Sequence, residues 1–290
     1  MAGSLKPKQD VEGCRDQMVR SNTFFHGGTS SLLSTLITFP VYKTVFRQQI
    51  HNAGVSEVVR QLYSEGHVKL YRGVVSPLLM KTLGNTLLFG LQDTILHQFT
   101  PSSQNLISPS ALPALAGFGA GMVEAVVCTP LERVQSVLQN GKNDRNLPTH
   151  KSILVRLNAQ KWSSGYYRGL LPITARNALG SFIYFGLKEP LKAAVEGRGL
   201  SPVVSSFVSG VLSSMVISLP LYPLTVLAAN MQKQVGGENK GVIASWKTLW
   251  ESRQRSVALL YRGGSLVVLR SGISWGITTA IYDMQQKYSG

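Results

Sequence analysis

Long apolar runs alternate with shorter charged stretches along this chain, and the alternation repeats about every ninety residues. In the first half of each period an apolar run ends near a proline, covering residues 24–41, 112–131 and 203–231. His26 is the only titratable residue of the first run, Glu124 alone breaks the second, and the third carries no charge. That third run exceeds the ~20 residues that cross a bilayer core. The second half of each period is apolar again, over residues 74–91, 170–187 and 265–281, each with one cation near its middle. Between the halves lie residues 52–70, 140–166 and 236–260, whose charged, partly periodic composition suits a surface helix with loops. The pattern predicts an all-α membrane protein with six transmembrane helices in three pseudo-repeated hairpins, each with a short surface helix. Its pieces are an N-terminal tail over 1–22 and repeats over 23–106, 107–200 and 201–290.

Two punctuation marks recur at the same period. Pro40, Pro130 and Pro223 are each followed nine positions later by a glutamine: Gln49, Gln139 and Gln232. Tyr71-Arg72-Gly73, Tyr167-Arg168-Gly169 and Tyr261-Arg262-Gly263 form the second mark. Self-similarity at a fixed period signals one structural unit written several times. Small residues stand four apart early in the first run of each repeat: Gly27 and Ser31, Gly117 and Gly121, Gly210 and Ser214. Such spacing lets membrane helices approach closely. The prolines kink those helices, which buried helices tolerate when neighbours re-satisfy the backbone.

Composition narrows the classes. The 290 residues carry a formal net charge of +15. A nucleic-acid binder concentrates such charge on one face with interleaved aromatics, whereas here Lys and Arg stand at segment ends or singly inside apolar runs. No nucleic-acid partner is expected. Cys14 and Cys128 make no disulfide framework, and Cys128 lies in an apolar run as a buried thiol. Residues 1–22 mix Lys6, Lys8, Arg15 and Arg20 with Asp10, Glu12 and Asp16 and lack the apolar core of a signal peptide. The sequence has no metal-ligand cluster, no Gly-rich loop before a Lys-Ser/Thr pair, and no nucleophile with a spaced base. It predicts no enzyme, no metal and no cofactor.

The candidate chemistry is a set of intramembrane charges. Lys81, Arg176 and Arg270 stand nine or ten residues after the tyrosine of their repeat. A cation inside a membrane helix is costly and faces a water-filled cavity or a partner. Threefold pseudosymmetry places the three around one cavity at one depth, a setting for an anionic ligand that Arg grips bidentately and Lys holds as a point charge. Asn177 and Ser271 add neutral donors and acceptors. Glu124 is placed to pair with Arg176, or to contact a ribose hydroxyl or a ligand cation. The Arg-Gly pairs 72–73, 168–169 and 262–263 open helices whose N-terminal N–H groups favour an anion.

These motifs resemble the mitochondrial carrier family (solute carrier family 25) over the chain after residue 22, within its NAD-carrier-like subgroup. The family pattern reads Pro-x-[Asp/Glu]-x-x-[Lys/Arg]-x-[Lys/Arg] with a glutamine nine after the proline. It continues [Asp/Glu]-Gly-x4-aromatic-[Lys/Arg]-Gly, which Glu65-Gly66 through Tyr71-Arg72-Gly73 match in full. Phe46-Arg47-Gln48-Gln49, Thr129 through Gln135, Lys81-Thr82 and Ser274-Trp275-Gly276 carry the subgroup likeness. The resemblance implies the mitochondrial carrier fold, short matrix surface helices, a monomer, and a multi-pass location in the inner membrane. It implies alternating access through a central cavity, with substrate contacts at Met80, Lys81, Arg176, Asn177, Arg270 and Ser271. Cardiolipin headgroups are implied at Arg72, Gly73, Arg168, Gly169, Arg262 and Gly263.

The implied gates are depleted here. The matrix gate falls on Tyr42, Glu132 and Thr225 as acidic positions, with Val45, Gln135 and Ala228 as their basic partners and Gln49, Gln139 and Gln232 as braces. The resulting pairs, Tyr42–Gln135, Glu132–Ala228 and Thr225–Val45, contain no ion pair. A Tyr42–Gln135 hydrogen bond, Arg133 or Arg47 is expected to stand in. In the cytoplasmic gate Glu189–Lys192 keeps both charges, while Asp93 faces Leu96 and Asp283 faces Gln286. The reading is a secondary transporter of an anionic metabolite, with an NAD-like nucleotide favoured. A carrier of a carboxylate or other phosphate compound, and a degenerate non-transporting carrier that binds lipid or partners, are the alternatives.

Overall fold

The computed structural model describes residues 32–66, 70–71, 73–103, 111–143, 146–147, 149–162, 164–197, 199, 202–237, 240–270 and 273–274. Among them every regular element is helical. Helix α1 spans residues 32–51, α2 Val55–Glu65, α3 Val75–Ser103, α4 Leu112–Gln139, α5 His150–Asn158, α6 Leu170–Glu196, α7 Pro202–Gln232, α8 Val242–Ser252, α9 Val257–Leu260 and α10 residues 264–270. The long helices coincide with the apolar runs, and α2, α5 and α8 fall in the three charged stretches between them. Helix α5 starts where it does because Thr149 and Ser152 cap each other, side chain to backbone N–H, at 3.2 Å both ways.

The long helices pack in chain order: α3 on α4, α4 on α6, α6 on α7. Helix α1 bridges the two ends of this series. Lys81 Nζ donates to Thr35 Oγ1 at 3.4 Å, and Ser34 Oγ donates to the Ser274 carbonyl at 3.0 Å. Gly117 and Gly121 supply the closest approach. A Cβ on Gly121 meets the Asn177 carbonyl oxygen of α6 at 2.6 Å, and one on Gly117 meets the Ser181 carbonyl oxygen at 2.9 Å. The other small-residue pairs predicted, Gly27 with Ser31 and Gly210 with Ser214, fall on backbone or side chains outside the described residues, as does His26.

The outward faces are apolar. Leu115, Phe118, Met122 and Val126 line one exposed side of α4, Val75, Leu79 and Leu83 one side of α3, and Leu212, Val216 and Leu219 one side of α7. Contiguous apolar stripes of this kind mark a surface made for an apolar neighbour. Among the described residues, two helical stretches, Leu112–Gln139 and Val211–Gln232, are long and apolar enough to cross a membrane by length and composition.

The buried part of the molecule is the end where α1, α4 and α7 converge. Residues 43–50 and 133–140 are buried on every face, as are 226–229 and 231–232. Here the two punctuation marks meet. Gly73, Gly169 and Gly263 have φ of +87°, +84° and +95°, where side chains are strained. Each packs on the glutamine end of the next repeat. The Cβ positions of Gly73 and Gly169 lie 3.4 Å from Leu138 Cβ and Gln232 Cγ, and that of Gly263 lies 3.4 Å from Gln48 Cβ. The arginines beside them donate to backbone oxygens just past those helices. Arg168 Nη1 reaches the Gly236 carbonyl at 3.1 Å, and Arg262 Nη1 the Asn52 carbonyl at 2.7 Å. The equivalent Arg72 lies outside the described residues.

Further donors complete the junction. Arg253, 2% exposed, points Nη2 at the Gln49 carbonyl and Nη1 at Asn52 Oδ1 and the Leu259 carbonyl. Lys233 Nζ donates to the Ile50 carbonyl at 3.0 Å, and Asn140 Nδ2 to the Lys233 carbonyl at 3.1 Å. The last four carbonyls of a helix have no intrahelical partner, and cations there also meet the negative end of the helix dipole. The expected stand-in arginines divide. Arg133 joins the junction by bonding the Gly165 and Gln234 carbonyls, whereas Arg47 forms a bidentate ion pair with Glu65 of its own repeat at 2.5 and 2.7 Å.

Two measurements check this architecture. Replacing Gly121 by Ala should lower stability by about 1–3 kcal/mol, since backbone blocks its Cβ, whereas Gly90→Ala, with nothing within 4 Å, should not. Thermal unfolding in detergent decides it. Lys233 gives the pH test. Burial first, then Lys142 and Arg253, push its pKa from 10.5 down to about 8. Between those values the unfolded chain holds a proton that the folded chain lacks, so stability from this group rises with pH from about 8 to 10.5. Lys233→Met should flatten that rise in melting midpoint relative to the unmodified chain.

Candidate functional site

Above the junction lies a cavity of about 370 Å³, walled by α1, α4, α6, α7 and α10. Four residues predicted as substrate contacts line it: Glu124, Arg176, Asn177 and Arg270. Six predicted gate positions line it too: Tyr42, Val45, Gln49, Glu132, Gln135 and Thr225. The close packing of α4 on α6 explains the charged wall. It brings Glu124 and Glu132, two turns apart on α4, opposite Arg176 and Asn177 of α6.

Glu132, rather than Glu124, is the partner of Arg176. Nη1 and Nη2 of Arg176 donate to the two carboxylate oxygens of Glu132 at 3.0 and 2.9 Å, a fork-to-fork pair. Nε of Arg176 donates to Asn177 Oδ1 at 3.0 Å, and Asn177 Nδ2 to Glu124 Oε2 at 3.4 Å. Glu132, Arg176, Asn177 and Glu124 thus form one hydrogen-bonded string. Across the cavity the guanidinium carbon of Arg270 stands 5.4 Å from the ring centroid of Tyr42, a cation–π contact. The Tyr42–Gln135 bond expected at the gate is present, with Gln135 Nε2 donating to the Tyr42 hydroxyl. Among the described lining residues, the acids and bases therefore balance: two carboxylates against two guanidinium groups.

Other predicted residues fall elsewhere. Lys81 turns to Thr35 of α1, and neither it nor Met80 lines the cavity. The expected ring of three cations is thus two in the cavity wall and one beside it. Ser271 lies outside the described residues. Gln139 and Gln232 are buried in the junction, Gln232 accepting from Ser136 Oγ at 2.9 Å. Both amide atoms of Gln139 are buried without a protein partner. At the second gate Asp93 is exposed and lies 3.7 Å from His97 Nε2, one turn on. The Glu189 and Lys192 side chains and Asp283 lie outside the described residues. Gly73, Gly169 and Gly263 are held by helix packing, and Arg168 and Arg262 by backbone oxygens.

Sequence reasoning missed the Glu132–Arg176 pair, Arg253 and Lys233. The first was readable as an acid left without its gate base. The other two bond backbone carbonyls, which leave no mark in a sequence.

The sequence profile described as mitochondrial carrier protein matches residues 17–103, 108–199 and 200–290. The chain is 46% identical to human solute carrier family 25 member 53 over 93% of its own length and 88% of that protein. It is 34% identical to a mitochondrial nicotinamide adenine dinucleotide transporter of Mus musculus, covering 90% of this chain and 87% of the relative. A human transporter of that description is 32% identical over 97% and 94% of the two chains. Matched in three successive units from residue 17 to residue 290, the chain belongs to the mitochondrial carrier protein family, whose members are transporters rather than enzymes.

Proposed function

We propose that this carrier is a secondary transporter of the inner mitochondrial membrane for a dipolar, phosphate-bearing nucleotide, with NAD the first compound to test. The long helices α1, α3, α4, α6 and α7, with a sixth span read from the apolar run over 265–281, cross the bilayer as three hairpins. Helices α2, α5 and α8 lie at the matrix surface. The apolar outward stripes of α3, α4 and α7 support the placement of the long helices in lipid. The substrate enters the cavity and is released by alternating access, with the α1–α4–α7 junction as the matrix gate. The N–H groups that open α3, α6 and α10 are placed for cardiolipin phosphates, and the carrier works as a monomer.

One observation carries the substrate class: the cavity wall sets two carboxylates against two guanidinium groups. A small carboxylate or inorganic phosphate satisfies the guanidinium groups and leaves Glu124 facing like charge. A ligand with an anionic pyrophosphate and a cationic ring answers both signs. NAD has that form, and the names of the relatives at 32% and 34% identity point the same way. The volume of about 370 Å³ is within the range of small-molecule sites.

The experiment is uptake of labelled NAD into cardiolipin-containing liposomes bearing the purified chain. Arg176→Ala and Arg270→Ala should each cut uptake by about tenfold or more, as expected for loss of a charged hydrogen-bond donor. Melting midpoints of the same samples separate lost binding from lost folding. Uptake of a carboxylate but not NAD would overturn the substrate class. Nucleotide binding with no uptake would support a non-transporting carrier, a reading the missing ion pairs between repeats favour.

A further inference from the structure

We infer that Glu132 sets which anions the cavity accepts, by occupying Arg176 as a carboxylate of the protein's own. The inference rests on the reading above that an anionic group binds at Arg176. All three donor nitrogens of Arg176 are engaged, two by Glu132 and one by Asn177 Oδ1. Three of its five N–H groups are thus in use, and no anion can take the bidentate Nη1–Nη2 face without displacing Glu132. The side chains of the pair are only 21% and 15% exposed, so the displaced carboxylate stays within a partly dry wall. A charge left there without its partner is costly.

Exchange therefore selects its ligand. A monodentate or singly charged carboxylate replaces one carboxylate with another and strands Glu132, a net loss. A pyrophosphate brings more charge and more acceptor oxygens to Arg176. A cationic group on the same ligand then gives the released Glu132, or Glu124 beside it, a new partner. Glu132 stands two residues after Pro130 at an acidic gate position, and the matching basic position of the next repeat is Ala228. The charge that has no counterpart in the gate is thus held in the ligand site, where it acts on selectivity.

The test is a thermal-shift titration of the purified full-length chain with pyrophosphate, NAD and succinate, followed by NAD uptake. In Glu132→Gln the apparent dissociation constant for pyrophosphate should fall about tenfold, the scale of one charge-assisted interaction. Succinate, silent on the unmodified chain, should become stabilising. In uptake, KM and the maximal rate should fall together, because a freed Arg176 binds tighter and releases more slowly. Glu132→Asp keeps the charge on a shorter stem and should give an intermediate affinity. Unchanged or weaker pyrophosphate binding in Glu132→Gln, with succinate still silent, would overturn the inference. Should that variant fail to fold, unmoved affinities in Glu132→Asp would do the same. Loss of NAD uptake in the unmodified chain, with the pyrophosphate effect intact, would sink the NAD reading and leave the role of Glu132 standing.

Discussion

Carbonyl groups at helix ends must find donors when the ends are buried, and in this carrier three long helices bury theirs together. Helices α1, α4 and α7 finish in one dry junction, with residues 43–50 and 133–140 hidden on all sides. Water is not on hand to complete those backbone groups. Arg253 and Lys233 of the third repeat end on last-turn carbonyls of α1, at Gln49 and Ile50, while Arg262, Arg168 and Arg133 end on backbone oxygens of the segments that follow α1 and α7. A charged donor to a carbonyl contributes more than a neutral one, roughly 1.5–3 kcal/mol. It also sits favourably at the helix C-terminus.

The rest of the arrangement follows from that junction. Gly169 and Gly263 must stand in left-handed conformations for their arginines to reach the next repeat, and any side chain there meets Gln232 or Tyr222 and Gln48. With closure carried by cation-to-carbonyl bonds, acids are not needed between repeats. Glu132 is free to pair with Arg176, and Tyr42 to hold Gln135 and receive Arg270 on its ring. The floor of the cavity is thus neutral hydrogen bonding, and the charges stand in its wall. The buried amide of Gln139 is left without a protein partner in this junction.

Much of this was legible in the sequence where a pattern repeats. The apolar runs marked the long helices, the four-residue spacing of Gly117 and Gly121 marked their tightest contact, and pseudosymmetry gathered Arg176, Asn177 and Arg270 into one cavity with Glu124. Pattern failed where two candidates share a helix face. Glu124 and Glu132 are eight residues apart on α4, and only the depth of Arg176 on α6 decides between them. It failed also for Lys81, equivalent by register but turned by its flexible stem to Thr35. Arg253 and Lys233 recognise backbone, and every residue has a backbone. The positive φ of the Tyr-Arg-Gly glycines has the same character: the motif is visible, its packing reason is not.

Arg253 offers the sharpest test of closure by carbonyl capture. The residue is 2% exposed, and its guanidinium serves the Gln49 and Leu259 carbonyls and Asn52 Oδ1. The measurement is the melting midpoint of Arg253→Met against Arg156→Met, an exposed arginine in the last turn of α5. Carbonyl capture predicts a fall of about 5 °C or more for Arg253→Met and almost none for Arg156→Met. Equal midpoints would contradict it.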